Sequence, residues 1–279
     1  MAVQAKIPQS NEAYHSDTSA ISASGLKLLA RSPRHYWAKY LSGRNEQKDT
    51  AALKFGTAFH CALLEPDRFN VVYDVMPEID RRTNDGKATY KTLIESGRTF
   101  ITEPQMILID EMRKAVMSHP VSKLIFGKGV CESSLYALDP VFEVMAKARP
   151  DYMIEPCDEF PNGLILDVKT AESAEENAFI KASFNYEYHI PAVMYPDVSQ
   201  RVYKTKKPPS FLFLVIEKEF PFLCAYYTPS PSMISYGRTE YMRLMKVYAD
   251  CKKSGNWYGY PQEITPLHLP DWVERTVLG

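Results

Sequence analysis

Apolar positions recur along the chain in two rhythms, and the change between them falls near residue 131. Before it the spacing is helical. Gly25 to Arg31 reads as a helix that Ser22 or Ser24 can cap, because a serine hydroxyl at a helix start satisfies a free amide. Ser32-Pro33 restarts the chain as a second helix, Arg34 to Leu41, since proline suits a first helical position. It carries Tyr36, Trp37 and Tyr40, whose expected work is packing between helices. Ala51 to Leu64 (AALKFGTAFHCALL) is a third helix, with Pro66 just past its end. Glu103 to Met117 is a fourth, with Ile109, Met112 and Val116 at helical spacing. Between these two, residues 65–100 read as irregular, with Asn84-Asp85-Gly86 as a turn signal.

Past residue 131 the pattern alternates with period two. Residues 133–138, 142–148 and 152–154 read as strands, and Pro161-Asn162-Gly163 is a strong turn into the buried-type strand 164–169. Such short connections favour an antiparallel meander of about three strands. Helices follow over Ala174 to Ser183 and from about Ile190. Ser210 to Ile216 is the most apolar strand, Phe222 to Thr228 its neighbour, and Ser232 to Lys253 a long amphipathic helix. Helix, meander, helix, strand, helix is an α/β layer pattern.

Composition narrows the class. The 279 residues carry a net charge of -1, with 45% hydrophobic and 24% charged residues, which is ordinary for a globular protein. The 13 Phe and 18 Tyr need a core and exclude dominant disorder. No apolar run reaches the ~20 residues that span a bilayer, and the first residues hold no apolar signal segment, so no membrane association is expected. Five widely spaced cysteines without a CxxC pair read as reduced, buried thiols of a cytoplasmic protein. Near-zero net charge neither advertises nor excludes a nucleic-acid partner, which needs only a local basic surface.

The informative chemistry lies in Arg149-Pro150-Asp151 and Leu166-Asp167-Val168-Lys169. Residues two apart in a strand share a face, so Asp167 and Lys169 point the same way. A hairpin returning as 164–169 can bring Asp151 beside Asp167. Two close carboxylates favour a hard divalent cation between them, and a neighbouring lysine can orient water or offset phosphate charge. That combination suits phosphodiester hydrolysis. The plainer alternative is a surface ion pair between Asp167 and Lys169, with Asp151 an unrelated loop acid.

Pro150-Asp151 with Asp167-Val168-Lys169 resembles the PD-(D/E)xK nuclease signature. More narrowly, the chain resembles the nuclease domain of the RecE (exonuclease VIII) family, in the RecB-like branch, from about Tyr14 to Trp272. The likeness includes Ile21-Ser-Ala-Ser-Gly-Leu, Phe55-Gly-Thr-Ala-Phe-His-Cys, Leu64-Glu-Pro, Arg81-Arg-Thr-Asn, Glu132-Ser-Ser-Leu-Tyr, Tyr188-His and Phe211-Leu-Phe-Leu-Val, in the same order. It implies a PD-(D/E)xK α/β core, a central mixed sheet with an antiparallel meander flanked by helices. One nuclease domain over 1–279 is expected, with 1–12 loose, 13–125 mainly helical and 126–279 the catalytic core.

By this resemblance His60, Asp151, Asp167 and the carbonyl of Val168 hold Mg²⁺, with Mn²⁺ a possible substitute, and Lys169 serves the attacking water. Taken alone, His60 reads as a core or capping histidine. Glu132 resembles the acid on the first strand of such nucleases; alternatively it is a plain strand-end glutamate. The family's glutamine in a Tyr-His-x-Gln block is here Pro191, while Tyr195 four positions on is kept. Proline offers no amide, so any contact by that glutamine is missing, and Pro191 fits only in a first helical turn. Candidate DNA contacts are Arg149, Arg81, Arg82 and Tyr195, with Lys87 and Lys204-Thr205-Lys206-Lys207 as further basic positions that otherwise read as solvated loops.

The expected reaction is hydrolysis with two Mg²⁺. The resemblance implies a bacterial or phage-encoded exonuclease that digests one strand of duplex DNA ends 5′ to 3′, leaving 3′ tails. It also implies a ring-shaped homotetramer and a single-strand annealing (RecT-like) partner. The alternatives are a structure-specific or restriction-type endonuclease of the same fold, and a catalytically weak protein that binds DNA ends.

Overall fold

The computed structural model describes residues 5–44 and 50–269. Three short elements, β1 (Ala5–Ile7), α1 (Asn11–Ser16) and β2 (Ile21–Ser22), lead into α2 (Ala23–Arg31) and α3 (Pro33–Tyr40). Ser22 starts α2 by accepting from the Gly25 amide; Ser32 does the same for α3 at His35, with Pro33 leading the helix. Then come α4 (Ala51–Leu64), α5 (Pro66–Val72), β3 (Tyr73–Val75), α6 (Asn84–Glu95), β4 (Thr99–Ile101), α7 (Glu103–Ser118) and α8 (Pro120–Ile125). The strand-rich part holds β5 (Val130–Cys131), β6 (Ser134–Asp139), β7 (Val144–Ala148), β8 (Tyr152–Ile154) and β9 (Leu164–Ala171). The chain continues through α9 (Glu176–Asn185), α10 (His189–Tyr203), β10 (Ser210–Glu217), β11 (Cys224–Tyr227) and α11 (Pro231–Ser254).

The main sheet runs β11-β10-β9-β8-β5 and is mixed. β9 and β10 are parallel, which requires the crossover supplied by α9 and α10; the other pairs are antiparallel. A second sheet, β1-β6-β7-β2, packs against α10, and β3 and β4 form a small parallel pair. The main sheet is buried on both faces. Leu164, Leu166 and Val168 of β9 join Phe59 of α4 and Met112 of α7 on one side. Ile165 joins Leu26 of α2, Val193 of α10 and Tyr241 of α11 on the other. By alternation Asp167 and Lys169 fall on this second side, where they interrupt an otherwise apolar stripe.

Three expectations change. Residues 65–100 are not irregular but contain α5, α6, β3 and β4. α6 buries only Gly86, so its sequence carries little apolar periodicity to read. Asn84-Asp85-Gly86 is the first turn of α6, capped by Thr83 through the Gly86 amide, because residues that suit a turn also suit a helix start. The expected meander is divided: β6 and β7 pair in one sheet and β8 and β9 in the other, the chain changing sheets at Arg149 to Asp151. Within the segment expected to be loose, Ala5–Ile7 pair with Ser134–Tyr136 as β1.

Candidate functional site

The register of β8 against β9 sets the site. Tyr152 faces Leu166 and Met153 faces Ile165, so the residue just before β8, Asp151, comes level with Asp167 and Val168. Asp151 is fixed by one oxygen, which accepts from the Val168 amide at 2.7 Å. Asp167 is buried, and its Oδ2 pairs with the Lys169 ammonium. Burial raises the Asp167 carboxyl above its ordinary value, Lys169 opposes this and Asp151 adds repulsion. Burial also works against the Lys169 charge, but Asp167 and Asp151 outweigh it and hold that ammonium protonated.

This end of the sheet opens on a cavity of about 260 Å³ lined by His60, Glu132, Arg149, Asp151, Tyr195 and Tyr14, among others. α4 carries His60 across the end of β9 and sets its Nδ1 3.7 Å from Asp151 Oδ1, facing the same space but beyond hydrogen-bond reach. Glu132 sits at a left-handed backbone position (φ 51°), its amide donating to the Asp151 carbonyl at 3.2 Å. Its carboxylate accepts from Arg149 Nε at 2.7 Å. Even so, burial, with repulsion from Asp151, pushes Glu132 up to about 7. Burial likewise pushes the Tyr195 phenol up, with Tyr14, Asp167, Asp151 and Glu132 adding to it.

Arg149 reaches the cavity with its donors engaged. Besides Glu132 it donates to Ser134 Oγ at 3.0 Å and to the Ser10 carbonyl at 3.2 Å, and its side chain is only 8% exposed. Val168 contributes its amide to Asp151, and its carbonyl lies 3.5 Å from Lys169 Nζ. Arg81 and Arg82 are exposed and do not line the cavity; Arg81 stacks over Tyr90 at 3.9 Å. The lysine run lies near the turn that begins β9, where the Lys207 amide donates to Asn162. Pro191 is the third residue of α10, in the first turn, where its missing N–H leaves no ladder bond unmade.

Residue-by-residue reading missed Lys27. Its ammonium donates to the Tyr186 carbonyl at 2.7 Å and stands 5.0 Å from the centroid of the Tyr188 ring; Lys169 Nζ stands 4.9 Å from the same centroid. Its only sequence signal was membership of the helix Gly25 to Arg31, because its approach to Lys169 depends on how α2 crosses the sheet.

The donor set fits a hard divalent cation. Asp151 and Asp167 are carboxylates that repel each other, a crowding of negative charge that a cation relieves. Among the described residues no three His, Cys, Asp or Glu groups close around a point. An ion that keeps most of its waters and takes one or two carboxylates, as Mg²⁺ does, needs no such cage.

The family described as a PDDEXK-like domain of unknown function (DUF3799) matches residues 22–266. No curated protein matches the chain. Among solved structures it is similar to a protein from Eubacterium rectale named as a candidate exonuclease, with a TM-score of 0.58 and 14% identity over 92% of this chain and 97% of that one. At that identity the likeness is one of fold. A second structure, SSO0001, has a TM-score of 0.33 and 10% identity over 84% of this chain and 81% of that one. No described helix is long and apolar enough to cross a membrane.

Proposed function

The chain belongs to the PDDEXK-like family DUF3799, and from that membership and its paired acids we propose that it is a divalent-metal-dependent DNA nuclease. The observation that carries the proposal is the buried Asp167–Lys169 pair on β9 under repulsion from Asp151, which lines a cavity together with His60; Asp167 and Lys169 are not among the residues lining that cavity. Asp151 and Asp167 would hold the metal, with His60 and the Val168 carbonyl beside them. When bound, a metal such as Mg²⁺ would supply Lewis-acid stabilisation of the phosphate and a more acidic water. Lys169, kept protonated by its two carboxylates, orients the attacking water and offsets charge gathering on the phosphate oxygens. Tyr195 and Glu132 form part of the cavity wall.

The finer reading is an exonuclease of the RecE type, with Mg²⁺ in the site and Mn²⁺ as a substitute, digesting duplex ends 5′ to 3′ to leave 3′ tails for a strand-annealing partner. The blocks that resemble RecE support it, and a ring-shaped homotetramer belongs to the same reading. The test is digestion of linear duplex labelled at either end, with Mg²⁺, beside Lys169→Ala and Asp167→Ala proteins. Loss of label from linear DNA, with closed circles intact and both variants inactive, is the expected result. Cutting of closed circles would move the assignment to an endonuclease. Untouched linear and nicked DNA with either metal would overturn the nuclease reading and leave a DNA-end-binding protein.

A further inference from the structure

The connection from α9 to α10 leaves large aromatic side chains in solvent beside the lysine pair. Phe184 and Tyr186 are each 63% exposed, and Tyr236 of α11 is 46% exposed. Phe184 lies 6.0 Å from Tyr236 between ring centroids. Tyr186 stacks on Tyr188 at 5.7 Å with planes 25° apart. Ile180, one turn earlier on α9, is exposed as well. Tyr188 is the inner end of this row, and it is the ring that both Lys27 and Lys169 approach. Burial, then repulsion from Lys169, lowers Lys27 to about 8, against attraction from Asp167 and Glu187, so the two ammoniums act on each other.

Contiguous exposed apolar surface usually marks an interaction site. The chemistry here selects the occupant. Lys169 is already paired with Asp167, whereas Lys27 makes no ion pair among the described residues and calls for an anion at the inner end; open ring faces at the outer end call for flat partners. A nucleic-acid strand offers phosphates and bases in that alternation, and sequence-tolerant single-strand sites combine basic groups with stacking rings. We infer that the α9–α10 connection is a platform for one strand of DNA, with Lys27 on a phosphate and Tyr186 and Phe184 under bases. The inference rests on the nuclease reading for its link to Asp167 and Lys169, and it adds the path taken by a strand at the site.

The test uses a short single-stranded oligonucleotide carrying the fluorescent base 2-aminopurine, titrated in EDTA so that nothing is cut. Wild type should bind it and quench the base by stacking. Tyr186→Ala and Phe184→Ala should each weaken binding about tenfold and lose quenching, whereas Tyr186→Trp should keep both. Lys27→Met should weaken binding and lower the salt slope by about one ion. Both aromatic positions are exposed, so their variants should melt like wild type. Alanine variants that bind and quench as wild type does would overturn the platform. So would variants that change the oligomeric mass by light scattering with binding intact, which would mark a protein interface. Digestion of linear duplex by wild type is read separately. Cutting with unaffected variants removes only the platform; no cutting with impaired variants removes only the nuclease; no strand binding by wild type removes the platform.

Discussion

The fold holds the Glu132 carboxylate where ionising it is unfavourable, so removing its charge should stabilise the protein at neutral pH. Burial is the main cause and Asp151 adds to it, with Arg149 only partly compensating. The carboxyl is raised from 4.5 to about 7. At about 1.4 kcal/mol per pH unit, ionising it costs about 3 kcal/mol more in the native protein than in the unfolded chain. Because the native value lies above the unfolded one, the favourable contribution of this group is complete below 4.5. It is lost as pH rises toward about 7 and absent beyond. Glu132→Gln keeps an oxygen for the Arg149 Nε and cannot ionise. The variant and wild type should therefore be about equally stable near pH 4, and the variant should gain steadily to about 3 kcal/mol by pH 8. Urea unfolding of both proteins across that range, in EDTA to keep metal from the site, measures the difference directly. A difference that stays flat, or that turns in favour of wild type as pH rises, would refute the placement of this carboxylate.

Three structural substitutions carry equally definite signs. A Cβ at Gly237 would stand 2.7 Å from the His189 carbonyl oxygen and 3.0 Å from Val193 Cγ2, at the crossing of α10 and α11. Gly237→Ala should thus cost about 1–3 kcal/mol in urea unfolding despite the better helix propensity of alanine. Buried Asp139 accepts from the Val141 and Phe142 amides at 2.9 and 3.2 Å, from Arg201 at 3.1 Å and from the Tyr241 hydroxyl at 3.0 Å. Asp139→Ala strands all four donors and should cost about 3–5 kcal/mol. Tyr241→Phe removes one neutral donor and should cost about 1 kcal/mol. Equal melting temperatures for these last two variants would contradict the network.

Much of the strand layout was legible because both sheet faces are covered and the register repeats with period two. The turn at Pro161-Asn162-Gly163 delivers β9 next to β8, and Ile154 pairs with Leu164 as that turn requires. The parallel pairing of β10 follows from the long helical crossover between it and β9. What escaped was the break between the sheets. Residues 149–151 read as a connection inside one meander, whereas they carry the chain from β7 in one sheet to β8 in the other. Local alternation is identical in either case, and the decision belongs to β1 and β2. They pair with β6 and β7 from far along the chain, which no local pattern announces.

The candidate site divides along the same line. Asp151, Asp167 and Lys169 could be placed from sequence because one strand pair fixes them, and a two-residue spacing is all the geometry they need. Glu132 and Arg149 were visible as residues but not as partners, since their ion pair closes only when β1 and α1 lie over the sheet end, where Ser10 receives Arg149. Lys27 could be read only as a helix residue, because tertiary packing, with Leu26 and Leu29 in the same core as Ile165, is what brings it to the Tyr188 ring. The assembled result is a separation of charge across a few side chains. Carboxylates of Asp151 and Glu132 open on the cavity with His60, ammoniums of Lys169 and Lys27 gather at Tyr188, and Asp167 pairs with Lys169 and is repelled by Asp151. One side suits a cation and the other an anion. On the proposed nuclease function, a phosphodiester lying across that boundary would meet positive charge where its own negative charge grows.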